Sequence, residues 1–302
     1  MVSLEQNRLA KVIQQLEGQD LSSIPTVLAR ILAVSRNPKS NAADLAAVCE
    51  MDKASSARLL RAANSVYYAT ESRFRVDSIK DAIVRIGFRT AEELIISSKV
   101  SSVLKTDTAI DDYSSSSLWK HSVAVGIGSR LIYNRVYGAG KIDPFIAGLL
   151  HDMGIAIEHQ FLFNDGFKDA ILHRHEKQSL LTEEETSAMG VNHEELGLIV
   201  AQKWNFPEHL AVVIGHHHNL GAKNEEHMKM IHVVRMAEYL CFSRDLGYSD
   251  FSQPYAEILR ETKNVLGLED EVLIQIADEL AKSVGALVNL GWFSEMRLKR
   301  SL

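Results

Sequence analysis

Residues 145–157 read FIAGLLHDMGIAI. The run is apolar nearly all round, and Asp143–Pro144 just before it makes a good helix start, so the sequence predicts a helix buried on most sides. A helix of this kind needs other helices around it. His151 and Asp152 sit in its middle, and a buried carboxylate without a counter-charge costs several kcal/mol. The pair therefore has to be a satisfied His–Asp hydrogen bond in a core, or part of a metal-ligand set.

Outward from this stretch, helical periodicity continues in both directions. The five prolines fall at element edges, and no segment alternates with period two between hairpin turns. The expected fold is all-α. Leu28, Ile31 and Leu32 share one face, and Pro38 follows where that helix should stop. Asn41 and Asp44 form a capping pair ahead of a helix, and Leu59, Leu60 and Ala63 cluster on the next. Ile79, Ile83 and Ile86 precede Gly87, which ends their helix, and a new one restarts from Thr90. The polar, serine-rich stretch KTDTAIDDYSSSS, residues 105–117, is the best subdomain boundary. The expected organisation is residues 1–110 as an N-terminal helical subdomain, 111–245 as a helical bundle, and 246–302 as further packing helices.

Composition narrows the function. With 302 residues, 46% of them hydrophobic, the chain can bury a large core. No run approaches the roughly 20 apolar residues that span a bilayer, and the opening residues lack a basic segment followed by a long apolar one. A cytoplasmic protein with no membrane partner is expected. Cys49 and Cys241 stand far apart in no redox or metal spacing, which argues against a disulfide framework and a cysteine nucleophile. A net charge of -6 suits a phosphate backbone poorly. Residues 42–65 do contain a helix, short turn and helix, but Leu59 and Leu60 on the second helix favour packing over DNA reading.

All twelve histidines lie between His121 and His232. His121 shares a stripe with Leu118, Val125, Gly128 and Ile132 and points inward. Asn192 and Glu195 resemble a capping box that places His193 over the inward face. His217 continues the stripe of Leu210, Val213 and Ile214, with His216 beside it, while His218 is read as complementing the helix macrodipole. Glu238 lies on an apolar face with Ile231, Val234 and Cys241, so it repeats the problem of Asp152. Imidazoles and carboxylates converging from separate helices suit iron, manganese or zinc. His173, His175, His209, His227 and His232 are read as surface or supporting residues.

In order and spacing, LWKHS, GLLHDMG, GVNHEELG, the Trp204–Pro207 W-x-x-P and IGHHH resemble the HDOD family, a regulatory relative of the HD-domain metal-dependent phosphohydrolases and of HD-GYP domains. IPTVLARILAV, MDKASSARLLRAANSVYY and SIKDAIVRIGF are similar to its N-terminal part. The resemblance covers roughly residues 20 to 240. It implies a small helical subdomain packed on an HD-like bundle. By position it implies a divalent-metal set of His121, His151, Asp152, His193, His216, His217 and Glu238. Metal-binding relatives usually hold an aspartate where Glu238 stands. Relatives that cleave cyclic dinucleotides carry a lysine where this chain has Ile155, and a Gly-Tyr-Pro motif where it reads HNLGAKN, so cyclic-di-GMP cleavage is not expected.

The leading expectation is a signal-transduction module that contacts other signalling proteins and retains a metal site. The alternative is a metal-dependent phosphohydrolase for a nucleotide or other phosphoester, with Asp152 as the catalytic residue. A DNA-binding regulator ranks third.

Overall fold

The computed structural model describes residues 23–65, 75–103, 108–138, 144–219, 225–249 and 255–289. The start of the chain, Asp143, residues 220–224 and the basic end EMRLKRSL lie outside them. The described residues are predominantly helical, as the periodicity predicts. Two compact units are present: one spans residues 23–102 together with Trp204–Phe206, the other Val103–Lys203 and residues 207–289.

The first unit comprises α1 (Ser23–Arg36), α2 (Ala42–Glu50), α3 (Lys53–Ala63), α4 (Ile79–Ile86) and most of α5 (Phe88–Val103). Local signals set its boundaries. Asn41 and Asp44 close a reciprocal capping box on α2, and the Asp52 side chain accepts from Ser55 N–H at the start of α3. Gly87, at φ 89°, ends α4 in a conformation that L side chains rarely adopt. α5 restarts directly at Phe88, two residues before the sequence expectation. Leu28, Ile31, Leu32, Leu59, Ala63, Ile79, Ile83 and Ile86 are all buried and Leu60 is half-buried, so the predicted faces are largely the packed ones.

The second unit opens with a feature that periodicity did not announce. Ala109–Ile110 (β1) and Tyr113–Ser114 (β2) pair antiparallel across Asp111, which takes a left-handed φ of 50°. Two residues per strand are too few to show alternation. Ile110 and Tyr113 are buried, and Ser114 then caps α6 (Ser115–Tyr137) in a capping box with Ser117. α7 (Pro144–Leu150), α13 (Glu225–Ser243) and α15 (Asp270–Asn289) pack on α6. α8 (Met153–Phe161) packs on α11 (His193–Lys203), which packs on α12 (Glu208–His216). A π-helical turn at Phe163–Phe167 leads to α9 (Lys168–Lys177) and α10 (Leu181–Met189), and α14 (Tyr255–Leu266) covers α13.

The opening stretch FIAGLLHDMGIAI is not one helix. It breaks at His151–Asp152, where Asp152 takes φ -91° and ψ 19°, the sparsely allowed bridge region where many active-site residues sit. Close approach on both sides explains why small residues flank the break. A Cβ on Gly154 would lie 2.0 Å from the carbonyl oxygen of His193, and one on Gly148 would lie 2.7 Å from that of Val125. The two half-helices are thus pressed against α11 and α6. Among the described residues no helix is long and apolar enough to cross a membrane.

Candidate metal centre

The break between α7 and α8 puts Asp152 at the meeting point of four other elements. α6 contributes His121, α11 opens with His193, the end of α12 brings His217 and His218, and α13 brings Glu238. All are buried except His218, which is half-buried. Asp152 Oδ2 lies 3.1 Å from His151 Nε2 and 3.5 Å from His121 Nε2. Its other oxygen, Oδ1, lies 3.4 Å from His217 Nε2 and 4.0 Å from His193 Nε2. Glu238 Oε1 approaches His151 Nε2 at 3.6 Å. Two clusters result, each tight enough to surround one ion: Asp152, His193, His217 and His218 form one, and His121, His151 and Glu238 the other. The aspartate stands between them with one oxygen toward each.

The rings are oriented from behind. His151 Nδ1 lies 2.7 Å from Gly148 O, and His217 Nδ1 lies 3.2 Å from both Val213 O and Ile214 O. A carbonyl can only accept, so both Nδ1 atoms carry the proton. His193 Nδ1 is 2.7 Å from Glu185 Oε2, and the same carboxylate accepts the His193 backbone N–H at 3.0 Å. In their neutral forms these three rings turn an unprotonated Nε2 toward Asp152, the arrangement by which carboxylates and carbonyls fix metal-binding histidines. The α12 end is held as well: Glu194 accepts from His218 N–H and from Asn219 Nδ2, and Arg235 Nε donates to the His217 carbonyl.

Electrostatics follow from burial. Desolvation works against charge on His151, but Asp152 and Glu238 beside it outweigh this and hold the imidazole well above its ordinary range. Burial likewise opposes charge on Asp152 and Glu238, and the neighbouring histidines, His151 foremost, keep both carboxyls below their usual range. His217 is lowered by burial and by His218. The donor set fits a metal by a direct test: His151 Nε2 and Asp152 Oδ1 are buried without a hydrogen-bond partner among the described residues. Buried polar atoms left in this way call for a ligand.

Of the residues expected from the sequence, His121, His151, Asp152, His193, His217 and Glu238 are brought together. His216 is not among them: it is half-buried, with Nδ1 3.1 Å from Asn219 Oδ1. His218, read as a macrodipole partner, takes its place: α12 ends at His216, and His217 and His218 just beyond it join Asp152 and His193. His173 and His175 lie on the surface, whereas His232 is buried with Nδ1 3.3 Å from Thr262 Oγ1. Sequence reasoning passed over Glu185, although Leu181, Glu185 and Met189 form a buried i, i+4, i+8 stripe on α10, the signal that marked Glu238. Both cysteines are buried, and burial pushes the Cys49 thiol up to about 12, which fits their reading as non-nucleophilic.

A helical bundle with an Asp-centred histidine cluster defines an HD-like protein. The HDOD domain model matches residues 21–220, and the chain belongs to that family. Its fold is similar to three solved structures. An HDOD domain protein of unknown function from Geobacter sulfurreducens has a TM-score of 0.71 at 24% identity, covering 94% of this chain and 98% of its own. A Marinobacter aquaeolei VT8 protein provisionally named for signal transduction has a TM-score of 0.74 at 21% identity, covering 97% and 67%. A Shewanella amazonensis SB2B protein provisionally named a phosphohydrolase has a TM-score of 0.65 at 22% identity, covering 93% and 97%. The chain is also 25% identical over 269 residues to an uncharacterized protein of Treponema pallidum (strain Nichols), of which it spans about half the length, 49%.

Proposed function

We propose that this chain is a regulatory HDOD module that works by contacting signalling proteins and retains a divalent-metal centre. The metal reading rests on one observation above others: the two oxygens of Asp152 face separate groups of imidazoles, and the far nitrogens of His151, His193 and His217 are tied down. His193, His217, His218 and Asp152 would hold one ion, and His121, His151 and Glu238 a second, with Asp152 shared. Iron, manganese and zinc all accept this mixture of imidazole and carboxylate. When bound, such an ion supplies Lewis acidity and lowers the pKa of a coordinated water.

The regulatory role is supported by what surrounds the cluster. Ile155, at the position where dinucleotide-cleaving relatives carry lysine, is apolar and fully buried, so it offers no charge to a phosphate. The signal-transduction name of the Marinobacter protein agrees with this role.

The second reading, a metal-dependent phosphohydrolase with Asp152 as the catalytic group, is favoured by Asp152 turning one oxygen toward each cluster, since paired ions are used by many phosphatases. Metal-loaded protein assayed with bis(p-nitrophenyl) phosphate and a panel of nucleotides separates the two. The regulatory reading predicts no turnover above free metal. Turnover that vanishes in Asp152→Ala would replace it with the hydrolase.

A further inference from the structure

Behind His193 lies a polar group that neither set of ligands uses. Glu158, on α8, and Glu185, on α10, are both fully buried, and with His193 their polar atoms lie within 4.8 Å of one another. Glu185 Oε2 is occupied by His193, through both its ring and its backbone N–H. The remaining three oxygens, Glu185 Oε1 and both of Glu158, meet no hydrogen-bond donor among the described residues. Two carboxylates in this position would repel each other at close range in a dry interior, at a cost of several kcal/mol. A proton on one of them removes the repulsion and satisfies two acceptors at once, as when carboxyl groups share a site.

We propose that Glu158 and Glu185 are a positioning pair for His193: Glu158, as a carboxylic acid, donates its O–H to Glu185 Oε1, and Glu185 in turn accepts the Nδ1–H of His193. The pair then fixes the ring rotation and the tautomer, so that the lone pair of Nε2 faces Asp152. Geometry assigns the order. Glu185 Oε2 accepts both the ring and the backbone N–H of His193, a role in which the ionised carboxylate is the stronger acceptor, so the proton is assigned to Glu158. Burial, with Glu185 beside it, holds the Glu158 carboxyl well above the usual carboxylate range, in agreement. His193 is thereby locked from an element, α10, that supplies no ligand itself. The consequence for the ion rests on the metal reading above, but the tautomer does not.

The test uses full-length protein and the variants Glu185→Gln, Glu158→Gln and Glu158→Ala, with folding checked by circular dichroism. In metal-free protein, ¹⁵N NMR of the histidine side chains should show His193 protonated on Nδ1 in the wild type. Glu158→Gln should keep that state, because the amide N–H replaces the acid O–H as donor to Glu185. Glu158→Ala should lose it in part. Glu185→Gln should broaden it into a mixture of tautomers. Zinc titration should follow the same order, with Glu185→Gln weaker by roughly 10- to 100-fold and Glu158→Gln close to wild type. Glu158→Gln behaving like Glu158→Ala, or an Nδ1–H signal unchanged in Glu185→Gln, overturns the proposal. If Glu185→Gln fails to fold, the comparison of the two Glu158 variants decides alone. A wild type that takes up no zinc refutes the metal reading while the tautomer still judges the pair.

Discussion

Asp152 is where the chemistry concentrates, and its neighbours give testable consequences one side chain at a time. His218 and His216 are adjacent in sequence, yet the structure places only His218 with Asp152, His193 and His217. His218→Ala is expected to reduce metal loading in elemental analysis, and His216→Ala to leave it near wild type. The reverse order would mean that the end of α12 is turned the other way in solution. Protons and metal compete for the same nitrogen at His151, whose imidazole is held above its ordinary range by Asp152 and Glu238. In metal-free protein that ring carries a proton near neutrality, which an incoming ion must displace. Affinity for zinc should therefore rise with pH between about 6 and 8, with proton release measurable by calorimetry in buffers of different ionisation enthalpy. An affinity that falls over that interval would contradict the assignment.

Helix by helix, the sequence was legible wherever a stripe or a cap carried the information. The Asn41–Asp44 box, the stop at Gly87 and the Asn192–Glu195 pair ahead of His193 all stand as read. The inward histidines and Glu238 were found because polar groups on apolar stripes demand partners. What was missed lies where periodicity is interrupted. The split of residues 145–157 into α7 and α8 depends on Gly148 and Gly154 meeting backbone from other helices, a contact no local pattern encodes. His218 escaped notice because it was read as a macrodipole partner, although it lies four residues after buried Ile214. Packing against α11 makes Gly154→Ala a sharp test: the added methyl has no space beside His193 O, and a loss of at least about 2 kcal/mol in urea unfolding is expected. A second test lies at α8, where buried His159 sits 2.9 Å from Tyr113 Oη and burial lowers its imidazole to about 4. The unfolded chain binds a proton there near pH 6.5 and the folded one does not, so stability is full above that pH. It declines as pH falls toward 4, by at most about 3 kcal/mol. His159→Phe should flatten this part of the stability profile, and an unaltered profile would assign the acid sensitivity elsewhere.

Taken as a whole, the molecule gathers its ligands from five separate segments of one compact unit, so metal binding and folding of that unit are coupled. An ion that binds only the folded state adds about 2.7 kcal/mol at a free concentration of about 100 times its Kd. Zinc or manganese should accordingly raise the Tm of wild-type protein, and Asp152→Ala should abolish the rise. The most direct measurement is metal content by elemental analysis, on protein purified without chelator or histidine tag, with His151→Ala and Asp152→Ala prepared in parallel. Near-stoichiometric or higher iron, manganese or zinc that is lost in both variants is the predicted result. Wild-type protein that carries no metal and takes none up on reconstitution would contradict the account and leave His151 and Asp152 as a buried polar pair in a purely interacting module.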